Sequence, residues 1–220
     1  GKDAAVLARR IADAPNLKFR GLQAYHGRAQ HMATYQQRAQ AIASAVDSVR
    51  ETLDALKADG LTCEIVGGAG TGTFAFEAES GVYNELQVGS YVFMDTEYAR
   101  IGNKDGGLYT AFEHSLFVLA TVISVPADDR AIVDAGLKSY SGEKGPPWVH
   151  GLKDVEVTNI SDEHGKLKIG AKAKRLRLGE KVWLIPGHCD PTVNLHDWYV
   201  GVRHGRVEAL WPITARGAST

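Results

Sequence analysis

Cysteine is scarce in this chain, an excess of charge of either sign is missing, and no apolar run is long. The 220 residues contain two cysteines, Cys63 and Cys189, which make no disulfide framework and fit a reducing compartment. A net charge of −1 leaves no electrostatic footprint for nucleic acid or an anionic membrane, so neither is expected as a partner. The longest apolar stretch, Leu116 to Val125, is too short to span a bilayer and is interrupted by Thr121 and Ser124. No signal-peptide pattern is visible, and a cytoplasmic setting is the expectation. Internal repeats and low-complexity tracts are also missing. What remains is an ordinary globular composition, 44% apolar and 23% charged, long enough for one large domain or two modest ones.

The first half alternates helix and strand signals. Residues 2–14 read as a helix with Val6, Leu7 and Ile11 on one buried face. Leu17 to Tyr25 reads as a strand. Residues 34–59 form a long helix, with Ile42, Val46, Val49, Leu53 and Leu56 recurring at threes and fours and Gly60 placed to stop it. Thr62 to Val66 reads as a short buried strand and Glu85 to Phe93 as another. This βαβ rhythm indicates a parallel sheet or part of a β/α barrel. From about residue 115 the pattern changes to short β-type runs: Leu116–Val125, Arg130–Ala135, Val155–Ile160, Lys166–Ala173 and Lys181–Ile185. His204-Gly205 between two apolar runs reads as a hairpin turn. The basic run from Lys172 to Arg177 reads as a solvated strand edge, and residues 136–142 as a mobile loop. The fold class expected is α/β plus all-β, divided into residues 1–111 and 112–220.

Three segments can carry chemistry. His188-Cys189-Asp190 follows the strand-like run Val182-Trp183-Leu184-Ile185. In an extended chain residues i and i+2 share a face, so His188 and Asp190 can converge on one metal ion while Cys189 points away. A His/Asp pair with water completing the shell suits Mn²⁺ or Mg²⁺, whereas a His/Cys pair suits Zn²⁺. The glycine-rich turn Gly67-Gly68-Ala69-Gly70-Thr71-Gly72-Thr73 is no Walker loop, because no Gly-Lys-Ser/Thr follows. Its backbone N–H groups can approach a phosphate, with Thr71 and Thr73 adding hydroxyls, or it can be a tight strand exit alone. Gly89-Ser90-Tyr91, after the next strand region, is a second such turn. The third segment, Gly21 to His31, packs Gln23, Tyr25, His26 and His31 at a strand exit, where a histidine can act as a base or simply join a buried hydrogen-bonding cluster. The four tryptophans read as core or interface aromatics, and His196 and Asp197 as either supports of the metal pair or turn residues.

Four motifs stand in order: Gln23-Ala24-Tyr25-His26-Gly27-x-Ala29-Gln30-His31, the Gly-Gly-x-Gly-Thr-Gly-Thr turn, Glu85-Leu86-Gln87-x-Gly89-Ser90-Tyr91-x-Phe93-Met94-Asp95, and Pro186-Gly187-His188-Cys189-Asp190-Pro191-Thr192-Val193-Asn194-Leu195. Together they resemble the D-threonine aldolase branch of the metal-activated pyridoxal-phosphate enzymes, relatives of D-serine dehydratase and alanine racemase. The resemblance runs over nearly the whole chain. It implies part of an alanine-racemase-like β/α barrel followed by a C-terminal β-domain, with pyridoxal 5′-phosphate and a divalent metal as cofactors. It implies that Gly70, Thr71, Gly72, Gly89, Ser90 and Tyr91 hold the cofactor phosphate and that Tyr25 lies near the cofactor ring. His188 and Asp190 would bind the metal, Mn²⁺ or Mg²⁺ in preference to Zn²⁺, and His31 would help take the proton from the substrate's β-hydroxyl. Retro-aldol cleavage of D-threonine would then give glycine and acetaldehyde.

The same resemblance leaves alternatives. A D-3-hydroxyaspartate aldolase or a D-serine-type dehydratase belongs to the same family, and a non-catalytic pyridoxal-phosphate carrier has a related barrel. The related dehydratases are expected to carry a His-x-Cys pair, and Asp190 at the i+2 position favours the aldolase side. The family's cofactor lysine lies in an Arg-Pro-His-x-Lys-like segment that this sequence does not match. The chain therefore reads as the C-terminal portion of the enzyme, with an upstream segment completing the barrel, and a homodimer is implied.

Overall fold

The computed structural model describes residues 1–218 and divides them into two compact units. The first comprises Gly1–Tyr91 and Tyr98–Ala111. The second comprises Val92–Glu97 and everything from Phe112 onward. The short run Val92–Glu97 thus lies outside a simple division at residue 111.

In the first unit, β1 (Gly21–Gln23), β2 (Ile65–Gly68) and β3 (Glu85–Leu86) form a parallel sheet in that order. The register pairs Leu22 with Val66 and Gly68 with Leu86. Helix α1 (Lys2–Asp13) precedes β1, α2 (Tyr35–Ala58) joins β1 to β2, and α3 (Phe74–Glu79) joins β2 to β3. The start of α2 is a capping box: Gln37 N–H donates to Thr34 Oγ1 at 3.2 Å and the Gln37 side chain accepts from Thr34 N–H at 3.1 Å. Ile42, Val46, Val49 and Leu56 are buried along one stripe, as their spacing requires. Gly60, at φ 70°, ends the helix in a conformation that costs other residues more. Arg38 is also buried, and it donates to the carbonyls of Met32 at 2.9 Å and Gly102 at 2.6 Å. That fixes Tyr98–Ala111 to the first unit.

Val6 and Leu7 are exposed, and α1 instead buries Ala5 and Ala8 with Leu56, because small side chains let the two helices approach closely. The strand expected over Leu17–Tyr25 contracts to three residues. The one over Glu85–Phe93 contracts to two, and Ser90–Val92 is a 3-10 turn.

In the second unit six strands close a barrel in the order β4-β5-β8-β7-β6-β9: β4 (Val118–Ala127), β5 (Arg130–Val133), β6 (Trp148–Val149), β7 (Val155–Ile160), β8 (Gly165–Ile169) and β9 (Lys181–Ile185). Alternate residues such as Ala120, Val122, Val133, Val157, Leu167 and Leu184 fill its interior. The single turn α4 (Thr96–Ala99) begins in this unit, which also holds the single-turn helix α5 (Cys189–Val193) and the hairpin β10 (Trp198–Arg203)–β11 (Arg206–Pro212). The hairpin turn is His204-Gly205, both at positive φ, as the sequence predicts. Residues 172–177 run as turn and loop instead of a strand edge, with Leu176 buried among its basic neighbours. Within 136–142, Tyr140 is fully buried and donates to the Ala135 carbonyl at 3.2 Å, while Leu137 and Lys138 are exposed. Trp183, Trp198 and Trp211 are exposed in this chain, so they are not core residues.

Two predictions follow from this packing. Leu167→Ala removes a side chain enclosed on every side and should lower the unfolding free energy by about 2–5 kcal/mol in urea titration. A negligible loss would mean the barrel interior is not close-packed. Glu77 on α3 is fully buried; desolvation pushes its carboxyl above the ordinary 4.5, against a hydrogen bond from Thr73 that pulls it down. A raised folded value means the protonated form is favoured by folding, so this contribution is full in acid and is lost as pH rises through the folded value. Glu77→Gln should therefore gain on the wild type in Tm as pH rises from mildly acid to neutral, with the curves converging in acid. Parallel curves would contradict this.

Candidate functional site

In the first unit the chain leaves β2 through Ala69, held at φ 67°, and turns through Thr71–Thr73 into α3. Gln30, fully buried, organises this turn from below. Its Oε1 accepts from Gly72 N–H at 3.1 Å, and its Nε2 donates to Thr73 Oγ1 at 2.7 Å. The Thr73 hydroxyl in turn donates to Glu77 Oε1 at 2.8 Å. A Cβ on Gly72 would sit 2.3 Å from the Gln30 carbonyl oxygen, and one on Gly70 would sit 2.5 Å from Gln30 Oε1. Both glycines are thus required by the close approach of Gln30. Gly72 N–H and the Thr73 hydroxyl are committed within the protein, and neither points outward as the sequence alone suggested for Thr73.

Of the residues expected around a phosphate, the structure brings several together. The Tyr25 hydroxyl lies 2.8 Å from where a Gly70 Cβ would stand. Thr71 Oγ1 accepts from Tyr91 N–H at 3.0 Å, which joins the two turns, and the Thr71 carbonyl accepts from Tyr109 at 2.9 Å. Gly89 opens onto empty space, with Ser90 half-buried beside it. His31 ends the 3-10 turn Gly27–His31, is exposed, and packs its ring 5.3 Å from that of Tyr98.

The second cluster lies within the second unit. Beyond β9, the carbonyls of Pro186 and Gly187 accept from the N–H groups of Thr96 and Glu97 at 3.0 and 3.1 Å. These bonds set Asp95 beside His188. Asp95 is fully buried, and its Oδ2 accepts from Cys189 N–H at 2.9 Å and stands 3.1 Å from His188 Nδ1. That hydrogen bond is the main reason the His188 imidazole is held above its usual pKa, with partial burial opposing it. Glu97 Oε2 lies 3.6 Å from the same nitrogen, while its Oε1 pairs with Lys144 at 3.0 Å. On the other side of the ring, Nε2 faces the exposed Asp190 Oδ2 at 4.0 Å.

The extended geometry expected across 188–190 is corrected. His188 is extended (φ −143°, ψ 129°), but α5 begins at Cys189, and Thr192 Oγ1 donates back to the His188 carbonyl at 2.7 Å. Pro191 is tolerated because the first helical turn has no carbonyl partners for its N–H groups. Cys189 is consequently buried, not turned away: ligand atoms of Asp95, His188 and Cys189 all lie within 4.8 Å of one another. Asp95, Glu97 and Gln30 carried no assigned role in the sequence reading. The signal was present for Asp95, an acid directly after Phe93-Met94. His196 Nε2 bonds the Ser139 carbonyl at 2.8 Å and Asp197 pairs with Arg216 at 3.0 Å, so both serve local structure.

Comparison with known proteins bears on both clusters. Residues 115–202 match a family model described as a putative serine dehydratase domain. The chain is 48% identical to a 3-hydroxy-D-aspartate aldolase of Paracoccus denitrificans over 98% of its own length and 56% of that protein's. It is also 48% identical to a D-threonine aldolase of an Arthrobacter species, over 97% of this chain and 55% of the relative. The crystal structure of a D-threonine aldolase from Filomicrobium marinum superposes on it with a TM-score of 0.94 at 44% identity, covering 100% of this chain and 59% of the other. This chain therefore spans little more than half the length of the relatives it matches. With identity this high and sustained across both units, the chain belongs to the family of the D-threonine and 3-hydroxy-D-aspartate aldolases.

Proposed function

We propose that this chain serves a carbon–carbon lyase that cleaves D-threonine and related D-β-hydroxy-α-amino acids to glycine and an aldehyde, with pyridoxal 5′-phosphate and a divalent cation as cofactors. The observation that carries this reading is the identity to two curated aldolases at 48% across nearly the whole chain. The donor sets fit the two cofactors in part. The turn around Gly70 and Thr71, with Gly89 open beside Ser90, suits a phosphate group, and Tyr25 stands over it. His188 Nε2 and the rotatable carboxylate of Asp190 suit a hard or borderline cation, Mn²⁺ or Mg²⁺. None of the four motifs supplies a lysine for the cofactor's aldehyde.

When bound, the pyridoxal ring would supply an electron sink for the Cα–Cβ bond pair and the cation would supply a lowered pKa at the substrate's β-hydroxyl. The remaining work falls to side chains. Tyr25 orients what lies above Gly70, and His31, exposed and propped against Tyr98, takes the hydroxyl proton as a general base. A cytoplasmic setting and a homodimer complete the proposal. Exposed Trp198, Val200, Leu210 and Trp211 on the β10–β11 hairpin support a second copy as partner.

In a protein of these relatives' full length, incubation with D-threonine, pyridoxal phosphate and Mn²⁺ should yield acetaldehyde and glycine in equal amounts, and chelation with EDTA should abolish it. A keto acid and ammonia would instead identify a dehydratase, and equal turnover with EDTA would remove the cation from the account. D-3-hydroxyaspartate, run in parallel, ranks the two aldolase substrates. His31→Ala should lower kcat by about 10²- to 10⁴-fold as expected for loss of a general base; an unchanged kcat would remove His31 from that role.

A further inference from the structure

We infer that Asp95 is a positioning residue: it holds His188 by Nδ1, so that Nε2 meets the cation on the Asp190 side and the Cys189 thiol stays outside the metal shell. The inference rests on the cation reading above and extends it to how the site selects its metal.

Two uses of this cluster compete. Asp95, His188 and Cys189 could together enclose an ion, since their ligand atoms lie within 4.8 Å of one another. A thiolate in that set would favour zinc or cadmium. The other use leaves Asp95 behind the imidazole as a hydrogen-bond acceptor and presents Nε2 toward Asp190, 4.0 Å away, as a nitrogen–oxygen pair. The two are mutually exclusive wherever Nδ1 is the nitrogen facing Asp95, because a nitrogen that carries a proton toward a carboxylate has no lone pair for a metal.

The hydrogen bonds favour the second use. Cys189 N–H can only donate, and it donates to Asp95 Oδ2 at 2.9 Å, which makes that oxygen an acceptor. The same oxygen stands 3.1 Å from His188 Nδ1, so the hydrogen-bond pattern assigns the proton to Nδ1 and leaves the lone pair of the neutral ring on Nε2. The clamp does not depend on a side-chain rotamer alone. Asp95 is fully buried, and the next two residues, Thr96 and Glu97, are bonded through their N–H groups to the carbonyls of Pro186 and Gly187. The backbone that delivers Asp95 is thus stitched to the backbone that delivers His188. Cys189 Sγ lies 3.3 Å from Asp190 Oδ1, within reach to donate as a thiol. A carboxylate behind a metal-binding imidazole fixes its tautomer and ring plane and makes the free nitrogen a better ligand.

The test compares wild type, Asp95→Asn and Asp95→Ala by imidazole ¹⁵N NMR without metal in alkaline buffer, Mn²⁺ affinity by EPR of the free ion, and ultraviolet titration with Cd²⁺. The expected result is an Nδ1–H tautomer for His188 in wild type, retained in Asp95→Asn and lost in Asp95→Ala. Mn²⁺ affinity should fall roughly 10- to 100-fold in Asp95→Ala and by less in Asp95→Asn. A wild-type His188 protonated on Nε2 overturns the inference. So does a cadmium–thiolate band in wild type that disappears in Cys189→Ser. Should Asp95→Ala fail to fold, the wild-type tautomer and the Asp95→Asn affinity decide: weaker Mn²⁺ binding supports the role and unchanged binding overturns it. Wild type that binds no Mn²⁺ at all defeats the cation reading and the selectivity claim with it, while the tautomer spectrum still decides whether Asp95 orients His188.

Discussion

A buried carboxylate is costly to keep unless donors surround it, and Asp95 is the point on which the metal-side geometry turns. With no exposure to water, it accepts the Cys189 amide and faces the His188 imidazole. The bonds of Thr96 and Glu97 to Pro186 and Gly187 carry Val92–Glu97 into the second unit. Once these contacts are made, the start of α5, the orientation of the imidazole and the exposure of Asp190 follow as local consequences. The hydrogen bond to Asp95 also holds the imidazole above its usual pKa, with partial burial opposing it.

The phosphate-side turn is built by a different device. Gln30, Thr73 and Glu77 form a buried chain of donors and acceptors that gives the Gln30 amide one orientation and commits Gly72 N–H inward. Gly70 and Gly72 are glycines because Gln30 approaches them closely, whatever binds above. Glycine richness and ligand binding are thereby separate properties of the turn. The part of it left open is the space beside Gly89, while Thr71 is buried and joined to Tyr91 N–H. Glu77 sits under this chain as an acid that burial pushes toward its neutral form, which ties the turn's stability to pH.

Much of this was legible in the chain. The 3.6-residue spacing of Ile42, Val46, Val49 and Leu56, with Gly60 beyond them, specified α2 almost to the residue. His204-Gly205 specified the hairpin, and the order of four motifs specified the family. What escaped depends on partners distant in sequence. Val6 and Leu7 outrank Ala5 and Ala8 in hydrophobicity, yet close helix packing selects the alanines. The strand-like run before His188 suggests an extended path through Asp190, but proline in a first turn removes no hydrogen bond, so α5 forms and Cys189 turns inward. Asp95 and His188 stand 93 positions apart, and no local pattern links them.

The most direct measurement is the position of a Mn²⁺ anomalous-scattering peak in crystals grown with that ion. The account places the peak against His188 Nε2 and the carboxylate of Asp190, with the Asp95–Nδ1 hydrogen bond intact. A peak on the opposite edge of the imidazole, ligated by Asp95 and the Cys189 sulfur, would contradict it.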